Sequence, residues 1–444
     1  MRIDKLNATD EPMIPCQRHL FDIPDDVAYL NCGYMSPLMK PALEAGAAGL
    51  ARKAHPWELT PDKFFTGSDE FRATAAQFLN CSADCIAIVP SASYGMATAA
   101  RNLPVKKGQN ILVLAEQFPS NYYPWQRLAE KNGASLKIVD WPEDNDWTAA
   151  VLNDLTPDVA IAALPHVQWT SGGRLDLVRI GEACRKIGAA LALDLTQSLG
   201  ALPFSVGGLQ NGVQPDFAVA ATYKWLLGPY SVGLLYVAPK WHGGIPLEEN
   251  WIQRANARDF SSLILYTEDY DEGARRFDMG ERSNFALLPA AVRAMKQLLE
   301  WEVAQISETA GALNRQLASA AAEFGFSSPP DHLRAPHYLC LRKKDGIPRE
   351  FLEMLAREKV FVSVRGSSVR VTPNVYNSAA DAERLIACLR RTASAGGQSA
   401  SRTRHSKFEM RNRRNSDEQR RKMTKGLERA DDTFGSFPSS PKPR

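Results

Sequence analysis

The sequence predicts an α/β protein: a large domain built on a mainly parallel sheet between helices, followed by a small C-terminal α+β domain. Three observations predict it. Short, wholly apolar runs recur through the middle of the chain, as expected of strands buried on both faces. Helix-like stretches lie between several of them, as crossovers between parallel strands require. Beyond about Ser328 the strand and helix signals shorten and alternate. With 444 residues, 44% of them hydrophobic, the chain is long enough for one enzyme-sized domain and a smaller companion.

Taken in order, the runs Ile86–Val89, Ile111–Ala115, Leu136–Val139, Val159–Ala163, Ala189–Leu193, Phe217–Ala221 and Val232–Val237 read as strands. Tyr94–Asn102, Tyr122–Asn132 and Leu175–Ile187 read as the helices between them. Phe285–Phe324 is rich in Ala, Leu and Glu and reads as one long helix or a broken one. The small domain then shows a strand (His337–Leu341), a helix (Pro348–Glu358), two strands (Val360–Val364 and Ser368–Val371) and a helix (Ala379–Arg391). The expected boundaries are an N-terminal segment at 1–30, a large domain at 31–285, a linking helix region at 286–327, a small domain at 328–392 and a tail at 393–444.

Charge singles out the tail. From Gly396 onward 13 Lys/Arg stand against six acidic residues, whereas the rest of the chain is slightly acidic. With few aliphatic residues this segment cannot bury a core and is read as disordered, an extension without a role. The competing reading is a basic arm for nucleic acid or an acidic surface. The seven cysteines are scattered. Cys81 and Cys85 form the one close pair, with no second pair or paired His nearby, so neither a disulfide framework nor a zinc site is expected. No apolar run approaches the length that spans a bilayer, and Met1–Leu20 lacks a signal-peptide apolar core. A reducing cytoplasm is the expected compartment.

In open α/β sheets ligands bind beyond the C-terminal ends of the strands, so the polar residues there are the candidates. Asp194 ends the run Ala-Leu-Ala-Leu-Asp and needs a cationic partner. Gln197 follows in Asp-Leu-Thr-Gln-Ser-Leu-Gly. Lys224, in Ala-Thr-Tyr-Lys-Trp-Leu-Leu-Gly-Pro, stands between a buried strand and apolar residues. That setting depresses an amine pKa and raises its nucleophilicity. Pro90-Ser-Ala-Ser-Tyr-Gly95 is a small-residue turn opening a helix, a geometry that holds phosphate on backbone N–H groups. A phosphate cradle, an aldehyde-capturing lysine and a carboxylate for a ring nitrogen are together the needs of pyridoxal 5′-phosphate.

In these motifs the sequence resembles the class V aminotransferase family of fold type I pyridoxal-phosphate enzymes, which includes cysteine desulfurase-like enzymes, kynureninase and isopenicillin N epimerase-like proteins. The resemblance covers roughly Tyr29 to Arg391 and includes the entry segment Tyr29-Leu-Asn-Cys-Gly-Tyr-Met-Ser-Pro37. It implies that Lys224 forms the Schiff base and moves the substrate α-proton, that Asp194 pairs with the pyridinium nitrogen, and that Gln197 bonds the ring 3-oxygen. It further implies that Ala92 and Ser93 bind phosphate, that Phe118 stacks on the ring, and that Tyr223 donates to the phosphate as in the kynureninase-like pattern. Arg370, in Val-Arg-Val-Thr-Pro-Asn, matches the family's α-carboxylate-binding arginine, with Arg365 nearby as a weaker candidate. Gln168 or Trp169, in His166-Val-Gln-Trp-Thr-Ser-Gly172, would contact cofactor or substrate.

In Gly280-Glu-Arg-Ser-Asn284 relatives carry Gly-Thr, and that loop reaches the phosphate of a neighbouring subunit. Glu281 replaces the Thr here, and Ser283 or Asn284 would substitute. A homodimer with shared active sites and a small amino acid substrate are therefore expected. The stretch Val362–Arg370 lacks the mobile cysteine that persulfide-forming desulfurases need, and that activity is set aside. Transamination is the expected reaction, with a lyase or hydrolase next and an epimerase as a further alternative.

Overall fold

The computed structural model describes residues 14–207, 212–344 and 346–399. The strands are β1 (Ala28–Tyr29), β2 (Ile86–Val89), β3 (Asn110–Leu114), β4 (Ser135–Val139), β5 (Val159–Pro165), β6 (Ala190–Asp194), β7 (Phe217–Ala221), β8 (Gly233–Val237), β9 (Leu339–Arg342), β10 (Val360–Phe361), β11 (Ser363–Arg365) and β12 (Ser368–Val371). The helices are α1 (Lys40–Ala51), α2 (Lys63–Leu79), α3 (Ala92–Asn102), α4 (Tyr123–Asn132), α5 (Trp147–Asp154), α6 (Leu177–Ile187), α7 (Leu287–Trp301), α8 (Val303–Glu323), α9 (Arg349–Arg357) and α10 (Ala379–Ser399).

Seven strands form the central sheet in the order β2-β8-β7-β6-β5-β3-β4. Its pairs are parallel except those of β8, which runs antiparallel to both β2 and β7. Alternate residues of each run enter different cores. Ile86 and Ile88 join one core, whereas Ala87 and Val89 join the other. The same split divides Leu191 and Leu193 from Ala192. A two-residue period with both faces buried is why the runs read as unbroken apolar sequence. Residues of α3 and α4 (Met96, Ala99, Trp125, Ala129) cover one face. Residues of α2, α5, α6 and α7 (Phe71, Val151, Ile180, Leu288) cover the other.

Three helices were not legible as such. In α1, Ala and Gly replace a strong apolar stripe because the helix lies close to α7. A Cβ built on Gly49 would fall 1.8 Å from the Phe285 carbonyl oxygen. The core face of α2 carries a fully buried arginine, Arg72, which breaks its apolar periodicity. At eight residues α5 is too short to establish a period. The expected long helix is broken: Glu302 adopts φ 61° and separates α7 from α8.

The C-terminal part holds a three-stranded antiparallel sheet, β11-β12-β9. The strand expected over Val360–Val364 is two strands. Its first half, β10, pairs in parallel with β1 from the opposite end of the chain. Ala28 and Leu30 accordingly belong to the core built by Leu317, Leu339, Phe351, Val369 and Leu385. The last helix continues past Arg391 to Ser399, through residues assigned to a disordered tail. The basic stretch from residue 400 lies outside the described residues.

A buried ion triad anchors the segment after β8 to the sheet. Asp278 accepts from Arg72 Nη1 at 3.0 Å and from the Ile88 amide at 2.8 Å, and its Oδ2 is 3.0 Å from Arg282 Nε. All three side chains are fully buried, so one carboxylate holds two guanidinium groups away from water. Removing it strands both. Asp278→Ala should cost about 3–5 kcal/mol, read as a lower urea midpoint with unchanged slope.

Candidate active site

A cavity of about 390 Å³ opens at the C-terminal ends of β2, β3, β5, β6 and β7. Its wall is supplied by the segments that leave these strands: Pro90–Ser93, Gln117 and Phe118, Pro165 to Trp169, Asp194 to Gln197, and Ala221 to Lys224. Of the residues expected at the site, Ala92, Ser93, Phe118, Gln168, Asp194, Gln197, Tyr223 and Lys224 all line it.

The turn after β2 is built for an anion. Ser91 caps α3: its hydroxyl accepts from the Tyr94 amide at 3.1 Å and lies 2.8 Å from that of Ser93. The amides of Ala92 and Ser93 lie in the first turn, where no helix carbonyl stands four residues earlier to accept from them, and stay free for a ligand. Gly95 lets α3 approach β7, since a Cβ there would come within 2.6 Å of Val219 Cγ2.

Lys224 lies in the tight loop Thr222–Pro229. The Gly228 amide donates to the Thr222 carbonyl, and the Thr222 hydroxyl is 2.8 Å from the Pro229 carbonyl oxygen. Its neighbour Trp225 is fully buried and donates from Nε1 to Gln197 Oε1 at 2.9 Å. The Lys224 amine lies 5.5 Å from the centre of the Phe118 ring and 5.4 Å from that of Tyr223. Burial pushes its pKa down to about 8, and the positive charges of Arg370 and Arg365 push the same way against Asp194. Asp194 is buried on the same cavity, and its Oδ1 accepts from the Thr196 amide at 2.9 Å. Desolvation raises its pKa against the pull of that hydrogen bond and of Lys224. The Tyr223 phenol is pushed up to about 12 by burial and remains a proton donor.

Gln197 proves to be a joint as well as a wall residue. Besides accepting from Trp225, its amide donates to the Gly33 carbonyl at 3.0 Å, and its own carbonyl is 2.8 Å from His337 Nε2. One amide hydrogen remains for a ligand. Gln168 Oε1 accepts from the Thr170 and Ser171 amides at 2.7 and 2.8 Å, which leaves Nε2 buried without an acceptor. Asn121, which sequence reasoning missed, is its counterpart across the cavity wall. It accepts from Trp125 Nε1 at 2.9 Å, and its Nδ2 is buried and unpartnered. Only its place three residues after Phe118 could have flagged it.

Arg370 and Asn284 do not line the cavity. Arg370 is buried on β12 just behind it, donating to Tyr338 Oη at 3.1 Å and to the Trp169 carbonyl at 3.3 Å, with Nε unpartnered. Trp169, which does line the cavity, lies under its guanidinium at 5.5 Å. Asn284 is engaged at the start of α7. Its Oδ1 accepts from the Ala286 and Leu287 amides at 3.1 and 2.8 Å. Ser283 donates to the Phe64 carbonyl. Within their own chain Asn284 serves the start of α7 and Ser283 the Phe64 carbonyl of α2, and neither lines the cavity.

The family model for aminotransferase class-V matches residues 56–390. The chain is 25% identical over 331 residues to the uncharacterized aminotransferase YcbU of Bacillus subtilis, covering 74% of this chain and 84% of that protein. It is 24% identical over 291 residues to a kynureninase of Shouchella clausii, covering 61% and 65%. Among solved structures it superposes on a cysteine desulfurase from Thermococcus onnurineus NA1 with a TM-score of 0.73 at 18% identity, covering 85% and 97%.

The residues present fit pyridoxal 5′-phosphate. Free helix amides suit its phosphate, Asp194 its ring nitrogen and the Lys224 amine its aldehyde. The buried donors of Gln168 and Asn121 await acceptors. Because only the neutral amine attacks an aldehyde, capture by the apoprotein should accelerate as pH rises through about 8 and level off above it. Borohydride reduction should place the adduct on Lys224, and Lys224→Ala should abolish it. Sheet topology, cavity chemistry and the extent of the family match lead to one conclusion: the chain belongs to the class V aminotransferase family, and its cofactor is pyridoxal 5′-phosphate.

Proposed function

We propose that this protein is an enzyme acting at the α-carbon of an amino acid, and that its reaction is transamination. One observation carries the reading: a buried amine and a buried carboxylate share one cavity, with no ion pair between them among the described residues. When bound, the cofactor supplies a conjugated, electron-accepting ring that acidifies the substrate α-hydrogen. Asp194 holds positive charge at the ring nitrogen. Ala92 and Ser93, through their amides, and the Tyr223 phenol hold the phosphate. Phe118 covers the ring and excludes water. Arg370 grips the substrate α-carboxylate with a planar guanidinium. Lys224, neutral above about pH 8, takes the α-proton and carries it over a short path. Two copies of the chain are expected to assemble as a homodimer, with Ser283 or Asn284 nearest the partner's site.

The reading does not extend to a persulfide on a cysteine of this chain. The stretch from Val362 to Arg370 has none. Cys340, behind it, is fully buried, donates to the Thr170 carbonyl at 2.8 Å and has its thiol pushed up to about 12 by burial. A thiol in that state is a poor nucleophile. Elimination or hydrolysis is the second reading. Tyr223, which matches the kynureninase-like pattern, and the similarity to a kynureninase favour it.

A screen of amino acids with 2-oxo acid acceptors separates the two. Transamination yields a new amino acid and a new oxo acid in equal amounts with no ammonia, whereas ammonia with pyruvate or another cleavage product marks elimination. Arg370→Leu should raise KM for the amino acid about 10–100-fold, the loss of a charged hydrogen-bonded contact, with cofactor absorbance retained.

A further inference from the structure

The three-stranded sheet behind the cavity carries more positive charge than an α-carboxylate requires. In the β11–β12 hairpin Ser363 pairs with Arg370 and Arg365 with Ser368. Directly paired residues share a face, as do residues two apart on one strand. Arg365 and Arg370 therefore project from the same face as diagonal neighbours, roughly 7–8 Å apart along the ladder. A third guanidinium on that face, Arg342, is accounted for: it stacks on Trp141 at 4.2 Å and donates from Nε to the Ser368 hydroxyl at 2.9 Å.

The other two keep donors to spare, Arg370 even though it donates to Tyr338 and the Trp169 carbonyl and stacks on Trp169. Among the described residues neither has a carboxylate partner. Arg370 is buried with Nε unpartnered. Arg365, half-buried at the hairpin end, makes a single hydrogen bond among the described residues, to the carbonyl of its own neighbour Val364 at 2.8 Å. Both act electrostatically on the Lys224 amine, and the charge of Arg370 acts on Arg365. Two adjacent guanidinium groups with no anion between them repel, and that arrangement costs stability unless a ligand brings the missing charge. The phosphate of the cofactor does not bring it, since its cradle is the start of α3.

Resting on the reading that this site processes amino acids, we propose that the substrate is an amino acid with a second acidic group on a short side chain, Arg370 taking the α-carboxylate and Arg365 the side-chain carboxylate. Diagonal positions on one face let two long side chains meet the two carboxylates of one short ligand. The corresponding 2-oxo diacid would be bound in the same way as product or acceptor.

Two measurements on the holoenzyme test this. The first is calorimetric binding of unreactive acids. Glutarate and succinate should bind at least about 10-fold more tightly than butyrate, and Arg365→Met should erase that preference while cofactor absorbance persists. The second is the ratio of kcat/KM for glutamate over glutamine and for aspartate over asparagine. It should exceed about 10 in the wild type and collapse toward 1 in Arg365→Met, with Arg365→Lys between. Turnover of the amides at the rate of the acids, or a ratio unmoved by Arg365→Met, overturns the assignment and leaves the amino acid reading intact. Diacid binding that depends on Arg365 without turnover of any amino acid supports the paired-arginine site and counts against the reaction.

Discussion

A lysine amine held out of water, with a carboxylate on the same cavity and no acceptor of its own among the described residues, is the constraint on which this protein is organised. Burial lowers the lysine pKa to about 8 and raises that of the aspartate, so each group is displaced toward neutrality by the surroundings that keep the two apart. Such an arrangement is poor for stability, because a buried charge is normally retained only with its partner in contact. It suits a site that must present a nucleophilic amine at one end of a ligand and an anion at the other. Much of the surrounding structure can be understood as holding these two side chains at that separation.

The means are local and rigid. Asp194 is the last residue of β6 and is pinned by the Thr196 amide. Lys224 follows β7 in a loop closed on itself, next to a tryptophan whose indole is bonded to Gln197. Gln197 in turn reaches Gly33 of the entry segment, and its backbone meets His337 of the C-terminal part. The ring of that histidine lies 4.3 Å from Trp225, and burial lowers its pKa to about 4, so it is a neutral spacer across the physiological range. A motif residue expected only to touch the cofactor thus also links three distant parts of the chain.

The C-terminal sheet adds positive charge. Its face toward the cavity carries guanidinium groups, and Tyr338 and the Trp169 carbonyl fix the orientation of Arg370. The cavity is therefore lined by a helix start and an amine, with Arg370 set just behind its wall on another part of the chain. That polarity suits anionic ligands, and it is the common ground of the reaction and the substrate class advanced above.

Residue order alone determined the α/β class, the strand runs and the two motifs around Asp194 and Lys224. Strand burial on both faces forces contiguous apolar sequence, and polar residues that end such runs stand out from it. Tertiary structure alone decided the rest. The helices α1 and α2 pack through glycines and a buried Arg72, which no amphipathic period records. The pairing of Ala28–Tyr29 with Val360–Phe361 joins segments far apart in sequence, a contact with no local signature. Asn121 and the unpartnered donor of Gln168 acquire meaning only once neighbouring groups have consumed their other valences. Asn284, expected at the phosphate of a neighbouring subunit, has a second task within its own chain, where its Oδ1 accepts from the Ala286 and Leu287 amides at the start of α7. Sequence names the chemically capable residues. Which of their hydrogen-bonding and charged groups remain free is settled by the folded surroundings, since satisfaction and burial are properties of neighbours in space.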